Sequence, residues 1–430
     1  LKEVARTDNP NYLFIYVNIA ASTKPGIVRI KFTEGAQSKI YNYELKARTD
    51  KSGALGFTPA DVLYLITPDR FANANPANDD LLGVKVNRTS PNARHGGDLA
   101  GVGKYLDYMK DLGITTVWLN PIQENGGPGG SYHGYAITDF YNMDPRYGSN
   151  EEFRDLTKVA HQKGLKMVMD MVLNHCGSSH WWFKDMPSKD WINNGGVFMQ
   201  TNHATVSVMD VHASETEKKT FLDGWFTRGM PDLNQRNPHL ATYLIQNTIW
   251  WIEYARIDGI RQDTYSYMDF DFLARWNREV YAEYPHFDIV GETWYNKSTS
   301  PAWWQRGTKL GPKDPSLKTP MNFSLTFITQ KAFDAKEEKG LENIFEDIAQ
   351  DFIYPDPYHM LTFLDNHDLS RFNRKEDSTL NRYKQGIAFL LTMRGIPQLY
   401  YGTEVLMTGT KEEGDGRLRK DFPGGWAGDK

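Results

Sequence analysis

Asp263 closes the stretch Ile257-Asp-Gly-Ile-Arg-Gln-Asp263, and Glu292 closes Phe287-Asp-Ile-Val-Gly-Glu292. Each reads as a short apolar strand with an acid at its carboxyl end. The helix-patterned segment between them, Asp269 to Pro285, completes a βαβ unit, so the two strands should run parallel and side by side. Neighbouring strands lie ~4.8 Å apart. Level carboxyl groups on such strands come within roughly 5 to 6 Å of each other, where one acid can attack an anomeric carbon while the other protonates the leaving oxygen. Arg261, two residues before Asp263, shares its face through the period-two alternation of a strand. Its guanidinium is expected to depress the aspartate's pKa and keep it ionised for attack. Glu292 must instead hold its proton, which calls for a dry setting or a nearby negative charge. Trp294 and Asp368 are the candidates to supply these.

The elements that must place these acids alternate between strand and helix. Strands are expected at Val62 to Thr67, Thr115 to Asn120, Leu165 to Val172, Asp258 to Asp263, Phe287 to Glu292, Met321 to Leu325, Met360 to Asp365 and Pro397 to Tyr401. Amphipathic stretches lie between them, among them Val102 to Leu112, Glu151 to Lys163, Leu240 to Ala255, Leu341 to Phe352 and Asn381 to Met393. This pattern predicts an α/β fold, a (β/α)8 TIM barrel occupying residues 58–175 and 238–430, with its last helix and any C-terminal domain missing from this sequence. The long interval 176–237, with Trp181, Trp182 and Trp191, predicts an inserted domain B after strand 3, forming one wall of a cleft. Residues 1–57 read differently. Tyr12 to Val17, Ile27 to Phe32 and Ile40 to Leu45 alternate as antiparallel strands, an N-terminal β-sandwich remnant joined by a linker at Asp50 to Gly56.

Composition narrows the function classes. The net charge of −5 is small and the basic residues are scattered, so nucleic acid and anionic membrane surfaces are not expected partners. No apolar run approaches the ~20 residues of a membrane span. Cys176 is the one cysteine, which excludes an internal disulfide framework and leaves the redox compartment open. The sequence leaves the location unknown, a periplasmic one being favoured over a cytoplasmic one. Cys176 itself is expected to be a small buried thiol. A homo-oligomer is admitted.

Functional side chains of such a barrel gather at the carboxyl ends of its strands. Those ends supply Asp170, Asn174 and His175, then Arg261 and Asp263, then Glu292, and finally Asn366, His367 and Asp368. An ion-pair layer closing the barrel mouth would account for Asp170, but three further acids with few cations would repel one another. Four segments, Asp170-Met-Val-Leu-Asn-His175, Gly259-Ile-Arg-Gln-Asp263, Glu292-Thr-Trp294 and Phe363-Leu-Asp-Asn-His-Asp368, resemble the ordered signatures of the α-amylase family of glycoside hydrolases. The likeness runs from Tyr64 onward. It implies that Asp263 is the nucleophile, Glu292 the general acid and base, and Asp368 the acid that orients sugar hydroxyls. Tyr132-His-Gly-Tyr135 resembles the family motif whose Tyr stacks on the sugar and whose His binds its primary hydroxyl, which implies sugar-binding roles for His133 and Tyr135. His175 and His367 are expected to donate to ring hydroxyls, with Arg261 in the same substrate-binding group.

Asn73, Asn75, Asn78 and Asp79, with Gly96 and Asp98 later, offer hard oxygen donors at short spacing, suited to a structural Ca²⁺. A plain turn-rich loop is the competing account, since Asn, Asp and Gly favour turns. The loop is also similar to a calcium loop of cyclodextrin-forming and maltogenic relatives. Within the family, Met230-Pro-Asp-Leu-Asn234 is similar in part to neopullulanases, cyclomaltodextrinases and maltogenic amylases and in part to oligo-1,6-glucosidases. Thr264-Tyr-Ser-Tyr267 departs from the Lys-His pair that starch α-amylases carry after the nucleophile. The resemblance therefore implies retaining cleavage of α-1,4-glucosidic bonds in cyclodextrins and short maltooligosaccharides, with pullulan as a further substrate and no organic cofactor. Oligo-1,6-glucosidase, transglycosylase and a catalytically silent sugar-binding barrel are the alternatives.

Overall fold

The computed structural model describes residues 1–48, 53–127, 131–334, 339–373 and 380–429. The chain divides into two compact units, Leu1–Ser52 and Gly53–Lys430. The first holds two antiparallel ribbons, Glu3–Arg6 with Leu13–Tyr16 and Gly26–Glu34 with Gln37–Leu45. The strand at Glu3–Arg6 escapes the sequence reading because Glu-Val-Ala-Arg carries a single β-branched residue and no aromatic one. Of the expected linker, residues 50–52 lie outside the described residues.

The second unit is built on eight parallel strands: β1 (Leu63–Ile66), β2 (Thr116–Leu119), β3 (Lys166–Met171), β4 (Gly259–Gln262), β5 (Asp288–Gly291), β6 (Thr319–Pro320), β7 (Leu361–Phe363) and β8 (Ile396–Tyr400). From β1 to β6 each pairs in parallel with its neighbour in sequence, β7 pairs with β8, and β8 pairs back to β1. Only β6 and β7 lack a full ladder. A parallel bridge from Met321 to Leu361 and the Asn322 N–H to Leu361 O bond at 2.9 Å carry the sheet across that gap. Every residue of β1, β2, β4 and β5 is buried, as expected of strands covered on both faces.

One strand is displaced from its expected place. Met321 to Leu325 reads as strand from its apolar character, but the pairing residues are Thr319 and Pro320, and Phe323–Ala332 is a helix. Asn322 decides the matter, because its Oδ1 accepts the Leu325 N–H at 3.2 Å and so caps the helix.

The surrounding helices start where local chemistry directs. Ser149 and Glu152 form a reciprocal capping box ahead of Asn150–Gln162. Asn237 accepts the N–H groups of His239 and Leu240, and Pro238 takes the first position of Pro238–Ala255. That helix buries Leu240, Leu244, Ile245, Trp251 and Ile252 against the barrel, each aliphatic side chain contributing about 1.5–3 kcal/mol. Among the described residues, no helix is long and apolar enough to cross a membrane.

Residues 176–237 leave the barrel after β3 and return to it through main-chain bonds. Cys176 N–H meets Pro231 O at 3.0 Å, and Leu233 N–H meets Asn174 O at 2.9 Å. Beneath these, the buried Asp232 carboxylate accepts from Asn174 Nδ2 at 3.0 Å and Asn193 Nδ2 at 2.7 Å. Trp182 and Trp191 fill the interior of the segment, whereas Trp181 stays 43% exposed. Cys176 is buried, and burial pushes its thiol up, so it stays protonated and unreactive.

Candidate active site

The ladder between β4 and β5 sets Gln262 opposite Gly291, and therefore Asp263 opposite Glu292. The pairing continues one step past both strands, since Glu292 N–H donates to Gln262 O at 3.1 Å. Gly291 is required just before the acid: a Cβ there would sit 2.6 Å from Leu317 Cδ2 and 2.9 Å from the Tyr265 ring. Adjacent strands lie ~4.8 Å apart, so this level placement is compatible with the roughly 5 Å that separates a nucleophile from its proton donor.

Arg261 binds them together. Its Nη1 lies 2.8 Å from Asp263 Oδ1 and 2.9 Å from Asp170 Oδ1, and its Nη2 lies 2.8 Å from Glu292 Oε1. The last contact lies off the N–H direction and is an ion pair rather than a hydrogen bond. Asp170 stands opposite Arg261 on β3, is fully buried, and also accepts from Trp118 Nε1 at 3.1 Å. It orients the guanidinium, as the ion-pair account of that residue anticipates.

Thr264 joins the two acids from the other side. Its backbone is left-handed (φ 45°, ψ 42°), a costly state for a β-branched residue. In that state its N–H reaches Glu292 Oε2 at 2.7 Å while its hydroxyl reaches Asp263 Oδ2 at 3.2 Å.

The expected depression of the Asp263 pKa is not met. Burial pushes Asp263 well above the ordinary aspartate value; Arg261 opposes this, and Glu292, Asp170 and Asp368 add to it. Burial raises Glu292 too, with Arg261 opposing and Asp368 adding. One guanidinium shared by three acids favours the charged form of each only in part, and burial pushes both Asp263 and Glu292 upward. Asp368 goes the other way. Against the cost of burial, His367 and Arg419 hold its carboxyl well below the usual range.

Tyr135 is the hub of the opposite wall. Its hydroxyl receives Asn120 Nδ2 at 2.8 Å, donates to Asp170 Oδ2 at 3.0 Å and lies 2.7 Å from His367 Nε2. Its ring is nearly parallel to those of His367 (5.4 Å, 7°) and His133 (6.0 Å, 20°). His133 Nδ1 accepts the Tyr135 N–H at 3.0 Å, and burial, then Arg419, pushes its pKa down to about 4. His175 is used differently from expectation. Its Nε2 lies 3.0 Å from the Tyr135 carbonyl and must carry a proton to donate there, which leaves Nδ1 to accept from Asn174 Nδ2 at 3.3 Å. Both nitrogens are taken by the protein, so His175 braces the Tyr135 loop instead of offering a donor to sugar. Burial keeps it neutral, with a pKa near 4.

The structure brings Asp263, Glu292, Asp368, Arg261, His367, Tyr135 and His133 into one connected network. It also adds Arg419, which sequence reasoning passed over. Trp294, the expected source of a dry setting, stacks on Phe323 at 4.5 Å, while Glu292 itself is only 5% exposed.

The six expected metal ligands lie elsewhere, in the loop after β1. Asn73 Nδ2 donates to Asp79 Oδ1 at 2.8 Å, and a Cβ on Gly96 would meet that same oxygen at 2.7 Å. Asp98 is already engaged, accepting the N–H groups of Ala74, Asn75 and Gly101. Asn75 Oδ1 accepts the Ala77 N–H. Asn73 Oδ1 and Asn78 Oδ1, however, are buried without any hydrogen-bond partner. Among the described residues no group of three His, Cys, Asp or Glu side chains is placed to hold a metal, so any ion here rests mostly on amide and carbonyl oxygens, with Asp79 the one acid not already engaged by main-chain N–H groups. Orphaned buried oxygens beside one acid fit a hard cation.

A closed parallel barrel with acids clustered at its strand ends around one arginine is the architecture of a barrel glycosidase. Residues 65–422 match the alpha-amylase catalytic domain, and the chain belongs to the α-amylase family of glycoside hydrolases. Residues 1–49 match the N-terminal domain of cyclomaltodextrinases. Similar proteins include a cyclomaltodextrinase of Thermoanaerobacter pseudethanolicus, 30% identical over 376 residues that cover 86% of this chain and 61% of that protein. Neopullulanase 2 of Thermoactinomyces vulgaris is 28% identical over 384 residues, covering 88% and 62%. The crystal structure of an α-amylase from Geobacillus thermoleovorans complexed with acarbose superposes with a TM-score of 0.70 at 32% identity, covering 84% of this chain and 74% of that one. The chain thus spans about three fifths of the length of these curated relatives.

Proposed function

We propose that this chain carries the catalytic site of a retaining α-glucan hydrolase that opens α-1,4 bonds in cyclodextrins and short maltooligosaccharides, with pullulan as a further substrate. The observation that carries this reading is the level placement of Asp263 and Glu292 on adjacent strands with one guanidinium between them. In the first step an Asp263 oxygen bonds to the anomeric carbon while Glu292 gives its proton to the departing glucosyl oxygen. In the second, water attacks that carbon, Glu292 takes the water's proton, and Asp263 leaves as carboxylate. Asp368 stays charged to receive sugar hydroxyls, and His133, Tyr135 and His367 line the sugar. The choice of cyclodextrins over starch draws on the named activities of the relatives and on the match of residues 1–49.

Equal enzyme is to be incubated with β-cyclodextrin, pullulan, starch and isomaltose and the products resolved. Ring opening is expected to outpace attack on starch, with the α-anomer released first. Faster attack on isomaltose than on the ring assigns the chain to 1,6-bond cleavage instead.

Calcium is common in this family, and Asn73, Asn78, Asp79 and the Gly96 carbonyl are the residues we propose to hold it, with Asp98 and Asn75 shaping the loop. The ion would supply the charge that the two orphaned oxygens call for, a structural service rather than a chemical one. Adding calcium at about 100 times its dissociation constant should stabilise the fold by about 2.7 kcal/mol, a rise of several degrees in Tm. Scanning calorimetry with calcium or with chelator should show that rise in the native chain and lose it in Asp79→Ala. Equal Tm values in both buffers would remove the ion.

A further inference from the structure

Asp368 has each carboxylate oxygen held by a different element. Oδ2 lies 3.0 Å from His367 Nε2, the neighbour in sequence, whereas Oδ1 lies 2.7 Å from Nη2 of Arg419, which follows β8. Asn366 Oδ1 accepts the Asp368 N–H at 2.9 Å and fixes the main chain below the carboxylate. Arg419 grips more than the acid, because its Nε donates to the His367 carbonyl at 2.8 Å. One guanidinium plane therefore sets both the side chain of Asp368 and the peptide that precedes it.

Arg419 is itself built in. It is 4% exposed, whereas Arg417 two residues earlier points to solvent. Its carbonyl accepts from Arg70 Nη1 at 3.0 Å, and Arg70 is paired in turn with the fully buried Asp69 at 2.9 Å. The chain beyond is fastened by Phe422 N–H to Arg70 O at 2.8 Å and by Asp421 to His95 at 2.5 Å. A buried guanidinium is costly unless matched by acceptors of fixed geometry. Here the nearest matched acceptor, at 2.7 Å against 3.4 Å for Asp415 Oδ2 on the same Nη2, is the acid that the reaction needs charged and correctly turned.

We propose that Arg419 is a positioning residue, which fixes the Asp368 carboxylate in the orientation that meets the sugar hydroxyls in the transition state. Residues 411–422, the segment after β8, are the element that delivers it. The inference rests on the retaining-hydrolase reading for the role of Asp368, and adds to it a second cation beside Arg261 with a separate task.

Two variants of the whole chain test this, Arg419→Gln and Arg419→Lys, each assayed on β-cyclodextrin. Loss of a charge-assisted bond made to an acid acting in the transition state should lower kcat by about 30- to 100-fold in Arg419→Gln with KM within about threefold, and Arg419→Lys should regain part of it. Arg88→Ala, which removes the outer pairs to Asp421 and Asp429 and the stacking on Trp426, should lower Tm without changing kcat. A rise in KM at unchanged kcat would make Arg419 a ground-state sugar contact and overturn the assignment. The crystal structure of Arg419→Gln needs no turnover and separates the two readings. Asp368 leaving its orientation supports the positioning role even if no α-glucan is cleaved by the native chain, and Asp368 unmoved sinks it even if the native chain is an active hydrolase. Should Arg419→Gln not fold, Arg419→Lys carries both tests, since an ammonium cannot reach Asp368 and the His367 carbonyl from one plane.

Discussion

Asp263→Asn should lower kcat on β-cyclodextrin by about 10⁴-fold or more while the affinity for maltooligosaccharides stays within about tenfold. The amide oxygen can keep the 2.8 Å bond from Arg261 Nη1, and the amide nitrogen keeps the size of the side chain, so the barrel mouth need not rearrange. What is lost is the electron pair that forms the covalent glycosyl bond. The lost charge also changes its surroundings. Asp263 is among the acids crowding Arg261, so its neutralisation leaves that guanidinium to Asp170 and Glu292 alone and relieves the competition for it. Reducing-end release measures turnover, and isothermal calorimetry with maltoheptaose measures binding. Activity within tenfold of native would falsify the nucleophile assignment, whatever the affinity.

The barrel was legible in the sequence wherever an apolar run met a charge at its end, as in Ile260 before Arg261 and Asp263 or Val290 before Glu292. Parallel strands buried on both faces need such runs, and the change to polar residues marks where the strand reaches the mouth. β6 lacked that mark, because its ladder is two residues long and the apolar residues after it belong to a capped helix. Arg419 was illegible for a different reason. It stands in Arg-Leu-Arg-Lys, beside an exposed arginine of the same type, and only the fold decides which one is buried. The sign of the Asp263 shift also escaped. Arg261 two residues away is visible in the sequence, but Asp170 and Glu292 competing for the same guanidinium come from neighbouring strands. His175 shows the limit of a motif: its place beside Asn174 is plain, yet its partners, a carbonyl from the Tyr135 loop and a side-chain amide, are set by tertiary packing.

Glu292→Gln should separate the two steps of the reaction. On maltooligosaccharides, whose leaving oxygen needs a proton, the rate should fall by about 10³- to 10⁴-fold. On α-maltosyl fluoride, whose leaving group departs unprotonated, the first step should fall far less, and the missing base should then stall the second. A burst of about one fluoride per active site, followed by slow release, is the expected signature. The pH profile gives an independent reading. Burial, with Asp368 adding to it, raises the Glu292 pKa, so the proton needed by the leaving group is present below that raised value and is lost as pH climbs through it. The alkaline limb of native kcat/KM should therefore lie above the ordinary glutamate range, and it should vanish in Glu292→Gln, which has no proton there to lose. Asp368→Asn removes one of the charges that raise Glu292, so whatever activity survives should show that limb at lower pH. Equal losses on fluoride and maltooligosaccharide would mean that Glu292 serves the site through Arg261 and the Thr264 N–H, as an anchor for the strained turn, and that the proton comes from another group.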